Sequence, residues 1–188
     1  MARQTWVSAE AIQSIAGSNF ATFDTAKTVI PATALRTIRA NTLKIGDALE
    51  IDVWGSISNI AATPGTIVFQ VMIGSSIAFT TGVIQLNDTA HTNLPFHLKA
   101  LLTVRAIGNG TSANTMGMGV ITGKMVTVTA DETDGANTNS IIHVPATAPA
   151  VGAGFDSTTD KLLDFFCGFS ISNAGNNVAI QQYVVKSL

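Results

Sequence analysis

The chain has 188 residues and a net charge of −2, from ten basic and twelve acidic side chains. Only 12% of residues are charged while 46% are hydrophobic, which excludes a disordered chain. The absence of a basic run or an Arg/aromatic patch argues against nucleic acid as a partner, and the single cysteine, Cys167, excludes an intrachain disulfide framework.

Residues 1–24 read as an N-terminal arm or helix. Ser8 can cap a helix, Glu10 suits its first turn, and Ala9, Ile12, Ile15 and Ala16 make a short apolar stripe before Gly17. Such an arm either lies on its own domain or reaches into a neighbouring subunit. The first ten residues, MARQTWVSAE, lack the apolar segment of a secretory signal, so synthesis in the cytoplasm is expected. No apolar run reaches the ~18 residues that span a bilayer, so no membrane association is expected.

Residues 25–188 read as one domain of short strands. Thr28 to Ile30 and Ala34 to Ile38 are two brief β segments around Pro31. In Ala48 to Trp54, Leu49, Ile51 and Val53 alternate with Glu50, Asp52 and Trp54. Gly55 to Gly65 has the composition of a loop. Thr66 to Ile73 is apolar on both parities, as in a strand covered on both faces. Ile77 to Leu86 holds one or two strands with a break at Gly82, and Asn87 to Leu94 is a polar loop.

Pro95 to Ile107 carries the longest alternation. Phe96, Leu98, Ala100, Leu102, Val104 and Ala106 fall on one parity; His97, Lys99, Leu101, Thr103, Arg105 and Ile107 fall on the other. Asn109-Gly110 favours a tight hairpin after it. Thr115 to Ala130 and Ser140 to Val144 resume β character. In Lys161 to Ser172 the apolar parity is Leu163, Phe165, Cys167, Phe169 and Ile171. The turn NAGNN (Asn173 to Asn177) then leads into Val178 to Val185 and predicts a C-terminal hairpin. Eight to ten strands at this spacing, without alternating helices, predict an all-β fold: an antiparallel, jelly-roll-like β-sandwich.

Candidate chemistry is sparse. His91, His97 and His143 lack metal-ligand spacing and read as surface or interface histidines. Cys167 lies on an apolar parity and reads as a buried, inert thiol. The loop DETDGAN, with Asp131, Glu132, Asp134 and Asn137, is rich in oxygen ligands, but its spacing departs from the EF-hand pattern, so it reads as a solvated turn. Gly117, Gly119 and Gly123 have the wrong spacing for a dinucleotide fingerprint and read as close strand packing. Trp54, Trp6 and Tyr183 are the candidates for an aromatic platform that would take a sugar; their dispersion favours structural roles. The sequons at Asn87 and Asn109 carry no weight without a signal peptide. No catalytic, cofactor-binding or metal residue is assigned, and no enzyme activity is expected.

The stretch ANTLKIGDALEIDVWGSISN (Ala40 to Asn59) resembles a turn-strand module with an A-N-T-L-x-x-G-D core. That module recurs in small β-rich virion structural proteins of tailed bacteriophages. TPGTIVFQVMIG (Thr63 to Gly74), LPFHLKALLTVRAIGNGT (Leu94 to Thr111) and the region Asn173 to Val185 resemble the continuation of the same pattern. The resemblance covers Ala40 to Leu188. It implies a jelly-roll sandwich, usually trimeric, displayed on a phage particle. The function expected from it is that of a capsid decoration (cement) protein, a homotrimer binding the major capsid protein or another virion protein. The alternative is a tail-fibre or receptor-binding module recognising a host surface glycan. An aromatic share of 6%, mostly Phe, favours the first, as does a charged share about half the usual ~25%, which fits a surface covered by partners.

Overall fold

A computed structural model describes residues 8–123, 127–128, 141–145 and 147–188. In chain order its strands are β1 (Ser8–Ile12), β2 (Asn19–Ala21), β3 (Lys27–Thr28), β4 (Arg36–Ile38), β5 (Ala48–Asn59), β6 (Thr66–Ile73) and β7 (Ser76–Thr80). They continue with β8 (Ile84–Leu86), β9 (His91–Ala106), β10 (Asn114–Gly123), β11 (Thr127–Val128), β12 (Ile141–Val144), β13 (Lys161–Phe169) and β14 (Asn177–Ser187). The first sheet runs β1-β14-β5-β9-β10-β12, with β2 also on β14. The second runs β11-β8-β6-β13-β3, with β4 also on β13 and β7 also on β6. Every pairing is antiparallel.

The pairings nest. β1 and β2 pair with β14, β3 and β4 with β13, β5 with β9, and β6 with β7 and β8. The early strands thus pair with the late ones in reverse order. A long hairpin rolled over on itself in this way is a jelly roll. The segment from β10 to β12 is an addition to that plan. It widens the first sheet beyond β9 through β10 and β12, while β11 joins the second sheet at β8.

The alternation in β9 orients the whole sandwich. Phe96, Leu98, Ala100, Leu102 and Val104 are buried, and Lys99, Leu101 and Arg105 are exposed. β5, its neighbour, buries Leu49, Ile51, Val53 and Ile57. A chain of rings crosses the interior: Phe96 on β9 stacks on Phe69 of β6 at 5.2 Å, Phe69 on Phe165 of β13 at 5.7 Å, and Phe165 meets Tyr183 of β14 at 5.9 Å. The first and last of these contacts cross from one sheet to the other, and the middle one joins neighbouring strands of the second sheet, so aromatic packing ties the two layers together.

Six sequence expectations are corrected. No helix forms over residues 8–24, the described part of the N-terminal segment. Ser8–Ile12 is an edge strand in which Ala9, Ala11 and Ile12 register with Lys186, Val185 and Val184. The apolar stripe that suggested a helix is not a buried face, because Ile12 and Ile15 are both more than half exposed. So short a helix would be marginal by itself, whereas the strand gains backbone bonds along β14. Gly17 does not end a helix; a side chain there would collide with the carbonyl of Ile180.

The presumed loop from Gly55 is strand as far as Asn59, and β9 begins at His91 inside the presumed polar loop. No tight hairpin forms at Asn109-Gly110, because residues 107–113 all separate β9 from β10. Lastly, β13 and β14 are not a hairpin, since they lie in opposite sheets. The turn between them is a crossover, fixed by Asn176, whose side chain bonds Ile60 and Pro64. β6 is covered only in part on its outer parity, where Val68 and Gln70 are half-buried and Met72 is buried.

Asp164 on β13 is a buried carboxylate whose Oδ1 accepts bonds from the Thr28 hydroxyl (2.8 Å) and the Phe165 amide (2.7 Å). Burial raises its pKa despite those bonds. The folded chain therefore holds this proton more tightly than the unfolded chain, and stability falls as pH rises from the usual carboxylate range through the raised value. Asp164→Asn keeps an oxygen for both donors and cannot ionise. It should melt higher than the parent at pH 7, by about 2–3 °C for a gain of roughly 1 kcal/mol or less. The difference should vanish near pH 3. A variant that melts lower at both pH values would show that the ionised carboxylate is needed.

Candidate functional site

The outward face of the first sheet gathers the side chains with the most chemistry. Register puts Trp54 of β5 directly opposite His97 of β9. Both stand on the wet parity of their strands, and their rings stack at 3.8 Å with an interplanar angle of 8°. His97 Nε2 lies 2.8 Å from Asp52 Oδ1. A carboxylate only accepts, so Nε2–H is the donor, and the bond fixes the imidazole against the indole. Trp54 remains 48% exposed.

On its other side, Trp54 lies opposite Gln182 of β14. The register there runs from Ile180↔Gly55 to Gln182↔Trp54, which leaves Gln181 as an extra residue. This β-bulge turns two consecutive side chains outward, and Gln181 and Gln182 are both exposed. Gly55 makes room for the bulge. A Cβ at Gly55 would overlap the Ala179 carbonyl and come within 2.8 Å of the Phe96 ring.

One row along, the charges are internally balanced. Glu50 bonds Lys99 and Lys186, each at 2.9 Å. The bonds from Lys186 and Lys99 hold its carboxyl below the usual range. Towards the β12 edge the face becomes apolar. Leu101 is paired with Met118 across β9 and β10, Ile141 lies on β12, and all three are exposed.

The other sequence candidates fall elsewhere. Tyr183 is 1% exposed and belongs to the core stack, so it forms no platform with Trp54. Trp6 and the loop Asp131 to Asn137 lie outside the described residues. His91 Nδ1 bonds the Asn59 side chain at 3.1 Å, and His143 sits two strands from His97. Among the described residues no three His, Cys, Asp or Glu side chains are grouped as metal ligands. Cys167 is fully buried, and burial pushes its thiol pKa well up. Gly119 lies where a Cβ would strike the backbone of Lys99 and Ala100, and one at Gly117 would strike the Phe79 ring. Among the described residues no helix is long and apolar enough to cross a membrane.

The Trp54–His97 pair and the bulged glutamines escaped sequence reasoning. The signal was present as two residues on the wet parities of the two clearest strands. Only the register shows that they meet.

No protein-family model matches the chain, and no curated protein matches it. Among solved structures, the chain is similar to the CBM2 module of the evolved Dit of Lactobacillus casei BL23 phage J-1. That likeness has a TM-score of 0.29 and 11% identity, and it covers 81% of this chain and 67% of the module. At that score it carries no functional argument.

Proposed function

We propose that this chain is a structural protein of a bacteriophage virion, acting as a capsid decoration protein. It works by burying surface against the major capsid protein or another virion protein, as a homotrimer, and not by catalysis, cofactor or metal. The observation that carries this reading is the sequence likeness of Ala40 to Asn59 to the phage module. In the fold that stretch supplies the turn entering β5 and the whole of β5, the strand between β14 and β9. A low charge and the exposed apolar residues Leu101, Met118 and Ile141 on one sheet face support it. Each 100 Å² of apolar surface covered on assembly would contribute about 2.5 kcal/mol before ordering costs.

The rival location is the tail, as a fibre or receptor-binding part, and the exposed Trp54 favours it. Immunogold microscopy of intact particles, with antibody raised to this chain, separates the two. Label on the head is expected, together with a solution mass three times that of the chain. Label on the tail would move the protein to the rival location, and unlabelled particles would remove it from the virion.

A further inference from the structure

We propose that Trp54, Gln181 and Gln182 form a binding subsite for an uncharged hexopyranose of a glycan. The inference holds wherever on a particle the chain sits.

The indole is an exposed aromatic plane with one face taken. His97 covers the face on the β9 side, Trp54 stays 48% exposed, and on the β14 side its register neighbour is Gln182. A pyranose presents a ring of C–H groups on one side and hydroxyls around its rim. The first suits an aromatic plane, and the second suits amides, which both donate and accept. The bulge delivers two such amides side by side at the foot of the free face. The bulge places both residues on the outward side of the sheet beside Trp54.

The platform is also preorganised. Trp54 is clamped by His97, and His97 is held by Asp52. Little rotamer freedom remains for a ligand to remove, which lowers the cost of binding.

Charge selects the ligand class. Asp52 is engaged by His97, and Glu50 by Lys99 and Lys186. Beside Trp54 the two carboxylates are matched by two ammonium groups, so the immediate surroundings carry no excess charge to draw a phosphate or an acidic sugar. Arg105, on the same parity, lies eight residues along β9 from His97. A neutral, hydroxyl-rich ligand fits; a polyanion does not. The apolar corner at Leu101 and Met118 lies four residues along β9 from His97, and a second copy of the chain is the competing occupant of this face.

The test uses the full chain carrying Trp6→Phe, so that Trp54 is the sole indole reporter. Its fluorescence is titrated with neutral hexa-oligosaccharides of glucose, galactose, mannose and N-acetylglucosamine, and with polygalacturonate as the charged control. At least one neutral oligosaccharide should shift the emission saturably, and polygalacturonate should not. Binding read by calorimetry should fall at least tenfold in Trp54→Ala and several-fold in Gln181→Ala/Gln182→Ala, with melting unchanged. The glutamine variant carries the test if Trp54→Ala does not fold. The proposal is overturned if no neutral sugar shifts the emission, or if both variants bind as tightly as the parent. It is also overturned if Trp54→Ala lowers the solution mass instead, which would give the face to a second copy.

Discussion

Leu102→Asp should yield no folded protein, while Leu101→Asp, one residue away, should fold and melt within a few degrees of the parent. Leu102 is fully buried at the middle of β9, opposite Leu49 on β5 and Gly117 on β10. The substitution removes a leucine from the core, which alone costs about 2–5 kcal/mol. It also places a carboxylate where the flanking inward residues, Ala100 and Val104, are apolar, adding a desolvation penalty of several kcal/mol. The sum approaches or exceeds the roughly 5–15 kcal/mol that holds a typical domain together. Leu101 points the other way and is 44% exposed, so an aspartate there meets water. It faces Glu50 on β5, a like-charge pair costing up to about 1 kcal/mol, and has Lys99 two residues away on its own strand. Circular dichroism and thermal melting of the two variants check the prediction. A cooperative melt for Leu102→Asp near that of the parent would mean that the faces of β9 are assigned the wrong way round.

Asn176→Ala should be the most damaging polar substitution, costing about 3–5 kcal/mol. Asn176 is fully buried. Its Oδ1 accepts from the Ile60 amide at 3.0 Å, and its Nδ2 donates to the carbonyls of Pro64 (2.8 Å) and Ile171 (3.3 Å). Alanine strands all three, and a buried backbone group left unpaired costs roughly 1–3 kcal/mol. Asn176→Asp should do no better, because its second oxygen would face two carbonyl oxygens. Urea unfolding should show the midpoint fall with the slope unchanged. A loss below about 1 kcal/mol would show that water takes over those bonds.

The same asparagine explains what the sequence concealed. NAGNN between two apolar runs has the composition of a hairpin turn, and composition is silent about sheet membership. What sends β14 across to the first sheet is a set of bonds to residues more than a hundred positions earlier. Parity, by contrast, was legible. The inward sets of β5, β9 and β13 follow from period 2, although β13 also buries Asp164 and Gly168 on its other parity, which alternation does not foretell. Gly55 misled for a related reason. Glycine marks loops by composition, yet here it is required by the approach of β14 and Phe96 within a strand. The candidate site lay one step further from view, since its residues come from three strands and meet only through pairing and a bulge.

The nested pairing also sets an order of events during synthesis. β14 leaves the ribosome after every other described strand, yet it belongs between β1 and β5, with partners on β5 more than a hundred residues upstream. Until it arrives, β5 has an open backbone edge, and β1 and β2 have nothing to pair with. The first sheet therefore closes only after translation has passed Ser187, in a slow search dominated by distant contacts. Throughout that interval the nascent chain carries a long strand with one apolar face and an unguarded edge, the state in which two copies join each other most readily.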